Sequence, residues 1–200
     1  MQSTPPLTET LERLETVIAQ QGLDRAELLD PAVLATRTAL PEATVRTLLD
    51  GGPPPAEEVN DRVRHRIHTL VRARLAATGR RMSDLAAEIH RLTGVSEMWA
   101  RQVCDGKKVP NVEFLHHLVK FFRVDGAESF FTAPADEALN RALLPTLRRL
   151  ETDPLQPLMD KYGVKGSDLR MHGSMSRAQL ERLLEGVLRS VLPEDAGGAR

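Results

Sequence analysis

Few residues in this chain are spaced for covalent chemistry. His65 and His68 stand three apart, and on a helix that places two imidazoles on one face, where they could ligate a metal. No Cys or acidic cluster completes the set, so no metal and no cofactor is expected. Cys104 lies near histidines in the sequence, but a nucleophile needs a base held against it. A small residue at a helix end is the simpler reading. The stretch Lys161–Ser167, KYGVKGS, shares only its composition with a phosphate loop. GxxxxGK[ST], GxSxG and HExxH are all absent. With no acid, base or nucleophile constellation, catalysis is not expected.

Charge is more informative than catalysis. Residues 1–59 hold 4 Arg against 10 Asp/Glu, a balance of −6. Residues 60–123 hold 13 Lys/Arg against 6 Asp/Glu, a balance of +7, and five of the six His. Residues 124–200 stand at −2, so the net −1 hides a basic middle. Such a segment points to an anionic partner, DNA first, although a solvated charged face would look the same. No apolar run approaches the ~20 residues of a membrane span, and the start MQSTPPLTETLERLE is not a secretory signal. One Cys fits a reducing cytoplasm. Abundant Ala, Arg and Leu with little Lys point to a GC-rich bacterium.

The elements that must carry these residues read as helices throughout. Thr8 is read as the cap of a helix to Gln21, with Leu11, Leu14 and Ile18 on one stripe. Asp24-x-x-Glu27 reads as a capping box, and Asp30-Pro31 opens a helix over residues 32–39. Leu40-Pro41 opens another, stopped by Gly51-Gly52, and Pro53-Pro54-Pro55 makes a stiff break. Val59, Val63, Ile67, Leu70/Val71 and Leu75 give helical spacing up to Ala77. Ser83 is read as the cap of a helix bearing Leu85, Ala86, Ile89 and Leu92; Ser96 caps a short one to Cys104. Residues 112–122 are strongly apolar, and Phe114, Phe121, Phe122, Phe130 and Phe131 read as core. Residues 137–150 are amphipathic, with Pro145 as a break or restart, and Ser176-x-x-Gln179 opens a last helix. The class is all-α.

Residues 83–131, SDLAAEIHRLTGVSEMWARQVCDGKKVPNVEFLHHLVKFFRVDGAESFF, resemble the lambda-repressor/Cro-like, or XRE, helix-turn-helix family. Leu85-Ala86 opens the first helix of the motif, and Gly94-Val95-Ser96 is its turn. Ala100 and Val103 match the family's inward positions, and Asp105-Gly106-Lys107 ends the recognition helix. Val124–Phe131 matches its closing signature. With the preceding helix the resemblance covers residues 60–131. Between Leu85 and Val95 the chain carries about four residues more than the family spacing, about one helical turn. The same lengthening occurs in the EspR-like branch of actinobacterial nucleoid-associated regulators. Arg170–Leu180 here is similar to that branch as well. The resemblance implies a homodimer made by C-terminal helices, DNA binding at many sites, and residence on the nucleoid in the cytoplasm.

A recognition helix must be short, capped and rigid, with small residues inward and long donors outward. Residues 96–104 fit, with Glu97, Met98, Arg101 and Gln102 as the base-reading set. Gln102 can bond an adenine edge in two places; Arg101 suits guanine or a phosphate; Glu97 accepts from cytosine or favours the helix start. Ser96, Trp99, Lys107, Lys108 and Asn111 are the phosphate-side candidates. Trp99 either leans on the sugar-phosphate surface or packs on the lengthened helix.

Residues 40–51 also align with 95–106 at an offset of 55, with Glu, Arg, Asp and Gly coinciding. Thr38 falls on Thr93 and Pro55 on Pro110, while Gly52-Pro53 replaces Lys107-Lys108. The expected organisation follows. Residues 1–52 form a degenerate helix-turn-helix-like unit, a candidate for a protein partner. Residues 53–58 form a Pro-rich linker, and 59–131 the domain for double-stranded DNA. Residues 136–192 form a dimerisation domain carrying Leu180, Leu184, Val187, Leu188 and Val191, and 193–200 a tail. The rival is a protein-interaction adaptor or anti-factor that kept the fold without DNA.

Overall fold

Leu11, Leu14 and Ile18 recur at one helical face, and helix α1 (Leu7–Gln21) buries all three. The computed structural model describes residues 4–152 and Arg182. Thr8 is not the cap of α1: Pro6 holds that position, with φ −66° and ψ 160°. The proline sets the boundary by its fixed φ, and its carbonyl accepts from Thr10 N–H at 3.1 Å. Asp24 does cap α2 (Arg25–Leu28), accepting from Ala26 N–H at 2.8 Å. Asp30 caps α3 (Pro31–Thr38) by accepting from Ala32 N–H at 2.8 Å, and Pro31 takes the first helical position. Helix α4 spans Glu42–Leu49, and residues 53–58 carry no helix.

Helix α5 spans Val59–Thr78 and α6 Met82–Thr93. Ser83 lies inside α6 rather than capping it; Arg81 is the cap position, and its N–H donates to Asp84 at 3.2 Å. The aspartate at the third helical position thus accepts from the cap residue's own amide, the reciprocal half of a capping box. The buried stripe of α6 is Leu85, Ala86 and Ile89, while Leu92, expected on it, is 62% exposed at the helix end. The stripe of α5 likewise begins at Val63, since Val59 at its first position is exposed. Helix α7 (Glu97–Cys104), α8 (Val112–Phe122), α9 (Ser129–Thr132) and α10 (Ala135–Thr152) follow. Among the described residues there are ten helices and no strand, so the molecule is all-α in this part.

Pro145 neither breaks nor restarts α10, which runs through it. The ring removes one N–H, so the Arg141 carbonyl lacks its helical donor. Leu139, Leu143 and Leu147 are buried on both sides of that defect and hold the two halves in line.

Four of the five phenylalanines are buried, Phe122 packs at the edge, and together they knit α5–α9 into one core with Val63, Ile67, Leu85, Ile89 and Val103. The chain divides into two units at Leu147–Arg148, and all helices up to α9 fall in the first. The positions named for dimerisation, Leu180, Leu184, Val187, Leu188 and Val191, lie outside the described residues.

The offset of 55 seen in the sequence is a structural repeat. Helices α3 and α4 form one pair and α6 and α7 another, each joined by a left-handed residue, Ala39 (φ 55°) and Gly94 (φ 74°). Thr38 donates to the Leu34 carbonyl at 2.7 Å, and Thr93 to the Ile89 carbonyl at 2.8 Å. After the second helix of each pair, Gly51 (φ 78°) and Gly106 (φ 72°) turn the chain. Gly52 N–H then donates to the Thr47 carbonyl at 2.8 Å, as Lys107 N–H does to Gln102 at 2.9 Å. Inward residues also correspond: Val45, Leu48 and Leu49 in α4, and Ala100, Val103 and Cys104 in α7.

Candidate nucleic-acid interface

Helix α7 is held from one side only. Ala100, Val103 and Cys104 have no exposed surface, and they pack on α5 and α6. Ser96 starts the helix by accepting from Trp99 N–H at 3.3 Å. Asp105 N–H closes it on the Arg101 carbonyl at 2.8 Å, and Gly106 adopts the left-handed conformation that a β-carbon would disfavour. His90 Nδ1 meets the Val95 carbonyl at 2.6 Å and ties the turn back to α6. Ala35 stands at the corresponding place in the first pair, so this brace belongs to the second pair alone.

The opposite side of α7 is open. Glu97, Met98 and Arg101 are exposed, Met98 to 72%, and Gln102 is half-buried. Trp99 keeps 36% of its surface exposed. Lys107 and Lys108 are exposed in the loop that follows; Lys107 Nζ lies 3.3 Å from Asp105. Asn111 has a defined structural task, because its side-chain oxygen accepts from Phe114 N–H at 2.8 Å and caps α8. Only its amide NH2 is left to meet a phosphate. The carboxamide capping signal, Asn before an apolar run, was present in the sequence and competes with the phosphate role.

Cys104 is shut in. Burial, and then the neighbouring Asp105 carboxylate, push its thiol up to about 12, so it carries no thiolate at neutral pH. His65 is exposed and His68 half-buried on α5. Among the described residues no group of three or more metal-ligating side chains gathers.

The positive balance of residues 60–123 is partly consumed inside the fold. Arg66 is 2% exposed; it donates to the carbonyls of Phe130 and, at 2.8 Å, Ala133. Arg62 donates to the Thr132 carbonyl at 3.0 Å and to Glu57 at 2.7 Å. Together they satisfy the carbonyls at the end of the short helix α9. Desolvation first, then repulsion from Arg62, lowers the Arg66 guanidinium to about 10. Arg74 and Arg80 share Glu88 at 3.3 and 2.6 Å, and Arg74 lies 4.3 Å over the Phe121 ring. Arg64 pairs with Asp61. With Arg81 beside Asp84 and Lys107 beside Asp105, seven of the thirteen cations thus have a carbonyl or carboxylate partner within the fold, which charge counting along the sequence overlooked. The signal was available: Arg66 sits three after Val63 and four before Leu70, on the buried stripe of α5.

The comparisons are silent. No family model, no curated protein and no solved structure matches the chain. Among the described residues, no helix is long and apolar enough to cross a membrane.

Proposed function

We propose that this chain is a sequence-specific DNA-binding transcriptional regulator of the lambda-repressor/Cro-like helix-turn-helix kind, reading the major groove with α7. One observation carries the reading: α7 is buried completely through Ala100, Val103 and Cys104 while Glu97, Met98 and Arg101 face solvent. A rigid short helix with long polar side chains outward is what groove readout requires. In this reading Arg101 and Gln102 contact base edges, and Glu97 and Met98 shape the choice of site. Lys107 and Lys108, with Ser96, Trp99 and the Asn111 amide, meet the phosphate backbone. No covalent step is needed. The protein works as a homodimer through its C-terminal residues, on the nucleoid, as the EspR-like resemblance implies. Residues 1–59, acidic as a whole and carrying Gly52-Pro53 where the second helix pair is followed by Lys107-Lys108, are the part suited to a protein partner.

Fluorescence anisotropy against a pool of genomic fragments tests this at about 50 and 200 mM salt. Lys107→Ala/Lys108→Ala is expected to weaken all fragments and flatten the salt dependence. Gln102→Ala is expected to lose the preferred fragments by roughly tenfold, a discrimination of about 1–3 kcal/mol. Absence of binding by the wild-type chain at the lower salt would overturn the reading and favour the adaptor, with the first helix pair as bait for its partner.

A further inference from the structure

A cavity of about 500 Å³ opens among α3, α5, α9, α10 and the segment that follows α8. Its volume lies in the range of small-molecule sites, about 300–1,000 Å³. Arg37, Arg123 and Arg141 all line it, against one carboxylate, Asp125. Arg37 spends one nitrogen on the Ala142 carbonyl at 3.0 Å. Arg123 and Arg141 make no ion pair among the described residues. Three guanidiniums facing one space repel one another unless water or an anion stands between them.

Part of the remaining wall is apolar, alongside Thr36 and Thr38. Leu70 lines it from α5, Val124 from the segment after α8, and Phe130 from α9. Backbone conformation supports the arrangement. Arg123 is left-handed (φ 54°), and a β-carbon at Gly126 would come within 2.7 Å of Arg141 Nη1. Gly126 is itself left-handed (φ 88°), the conformation that favours glycine, and the Arg141 side chain crosses over it.

We propose that this cavity binds a small amphipathic anion, a carboxylate or phosphate head held by Arg37, Arg123 and Arg141 with a short apolar body against Leu70, Val124 and Phe130. Guanidinium forks suit either head, because both present paired oxygens. Such a site is independent of what α7 contacts.

Isothermal titration of the full chain with hexanoate, hexyl phosphate and hexan-1-ol tests it. At least one anion is expected to bind saturably with a dissociation constant below about 1 mM, and hexan-1-ol at least tenfold more weakly. Whichever anion binds more tightly identifies the head. Arg123→Gln and Arg141→Gln are each expected to weaken that anion by about tenfold. Amide shifts on titration are expected to centre on Thr36–Thr38, Gly126 and Ala138–Ala142, a readout on the wild-type chain that needs no variant to fold. The proposal is overturned if neither anion saturates by about 10 mM. It is equally overturned if both folded variants bind as the wild type does, or if the shifts centre elsewhere.

Discussion

Thr38 and Thr93 do the same work 55 residues apart. Each hydroxyl donates to the carbonyl four residues back, at 2.7 and 2.8 Å. Each also accepts from the amide two residues on, Leu40 or Val95, at 3.4 Å. A threonine at a helix end thus serves both the last turn and the entry into the next helix. This shared device is why the two helix pairs turn alike.

Replacing either threonine with valine keeps its shape and removes both bonds. Thr38→Val is expected to cost more, about 1–2 kcal/mol, because Thr38 and Leu40 are buried and the Leu40 N–H is left without an acceptor. Thr93→Val, half-exposed, is expected to cost about 0.5–1 kcal/mol. Urea unfolding of each single variant and the double one checks this; the two sites should add.

Two glycines, one in the turn that closes each helix pair but not at equivalent positions, should not tolerate alanine equally. A β-carbon at Gly106 meets nothing closer than 3.9 Å, so Gly106→Ala carries only the left-handed backbone penalty, about 1–2 kcal/mol. At Gly52 it would lie 2.6 Å from Thr47 Cγ2 and 2.9 Å from the Thr47 carbonyl oxygen. Backbone must move there, and Gly52→Ala should be the more destabilising in thermal unfolding.

Arg66 should be the costliest side chain to lose on α5. Arg66→Met keeps the volume but strands the Phe130 and Ala133 carbonyls, at about 3 kcal/mol. Arg66→Lys is expected to fall between, since one ammonium does not reproduce the fork. Denaturant midpoints of the three chains give the ranking.

His116 Nδ1 lies 2.5 Å from Glu128 Oε1. That hydrogen bond, ahead of the other influences, holds the Glu128 carboxyl below its ordinary range. The folded chain thus binds this proton less readily than the unfolded one. The stabilisation is complete above the unfolded value near 4.3 and fades as pH falls through the lower folded value. Melting temperatures taken from about pH 6 downward to 3 should fall more steeply for the wild type than for His116→Ala.

Much of the fold was legible because its signals are local. Asp30-Pro31, Ser96 and Asn111 mark helix starts by side-chain geometry that needs no distant partner. Gly94 and Gly106 mark turns by backbone conformation, and the repeat follows from matching both sets at one offset. Thr8 and Ser83 misled because the helices start earlier, after Pro6 with its fixed φ and after Arg81, whose amide Asp84 accepts. Pro145 misled because burial of Leu139, Leu143 and Leu147 outweighs one missing bond. Of the candidate interface, the split of α7 into inward and outward residues was readable from its periodicity.

Over residues 4–152 the sequence by itself determined which segments are helical, where most of them stop, and that two helix pairs share one design, while the helix read from Ser176 lies outside the described residues. Caps, turns and periodicity act within a few residues, so a linear reading reaches them. Only the tertiary structure decided which cations remain at the surface, that Arg62 and Arg66 finish the carbonyls of α9, and that Arg37, Arg123 and Arg141 share one cavity. Those outcomes depend on which distant backbone group each guanidinium meets. No spacing along the chain encodes that meeting until the core has closed.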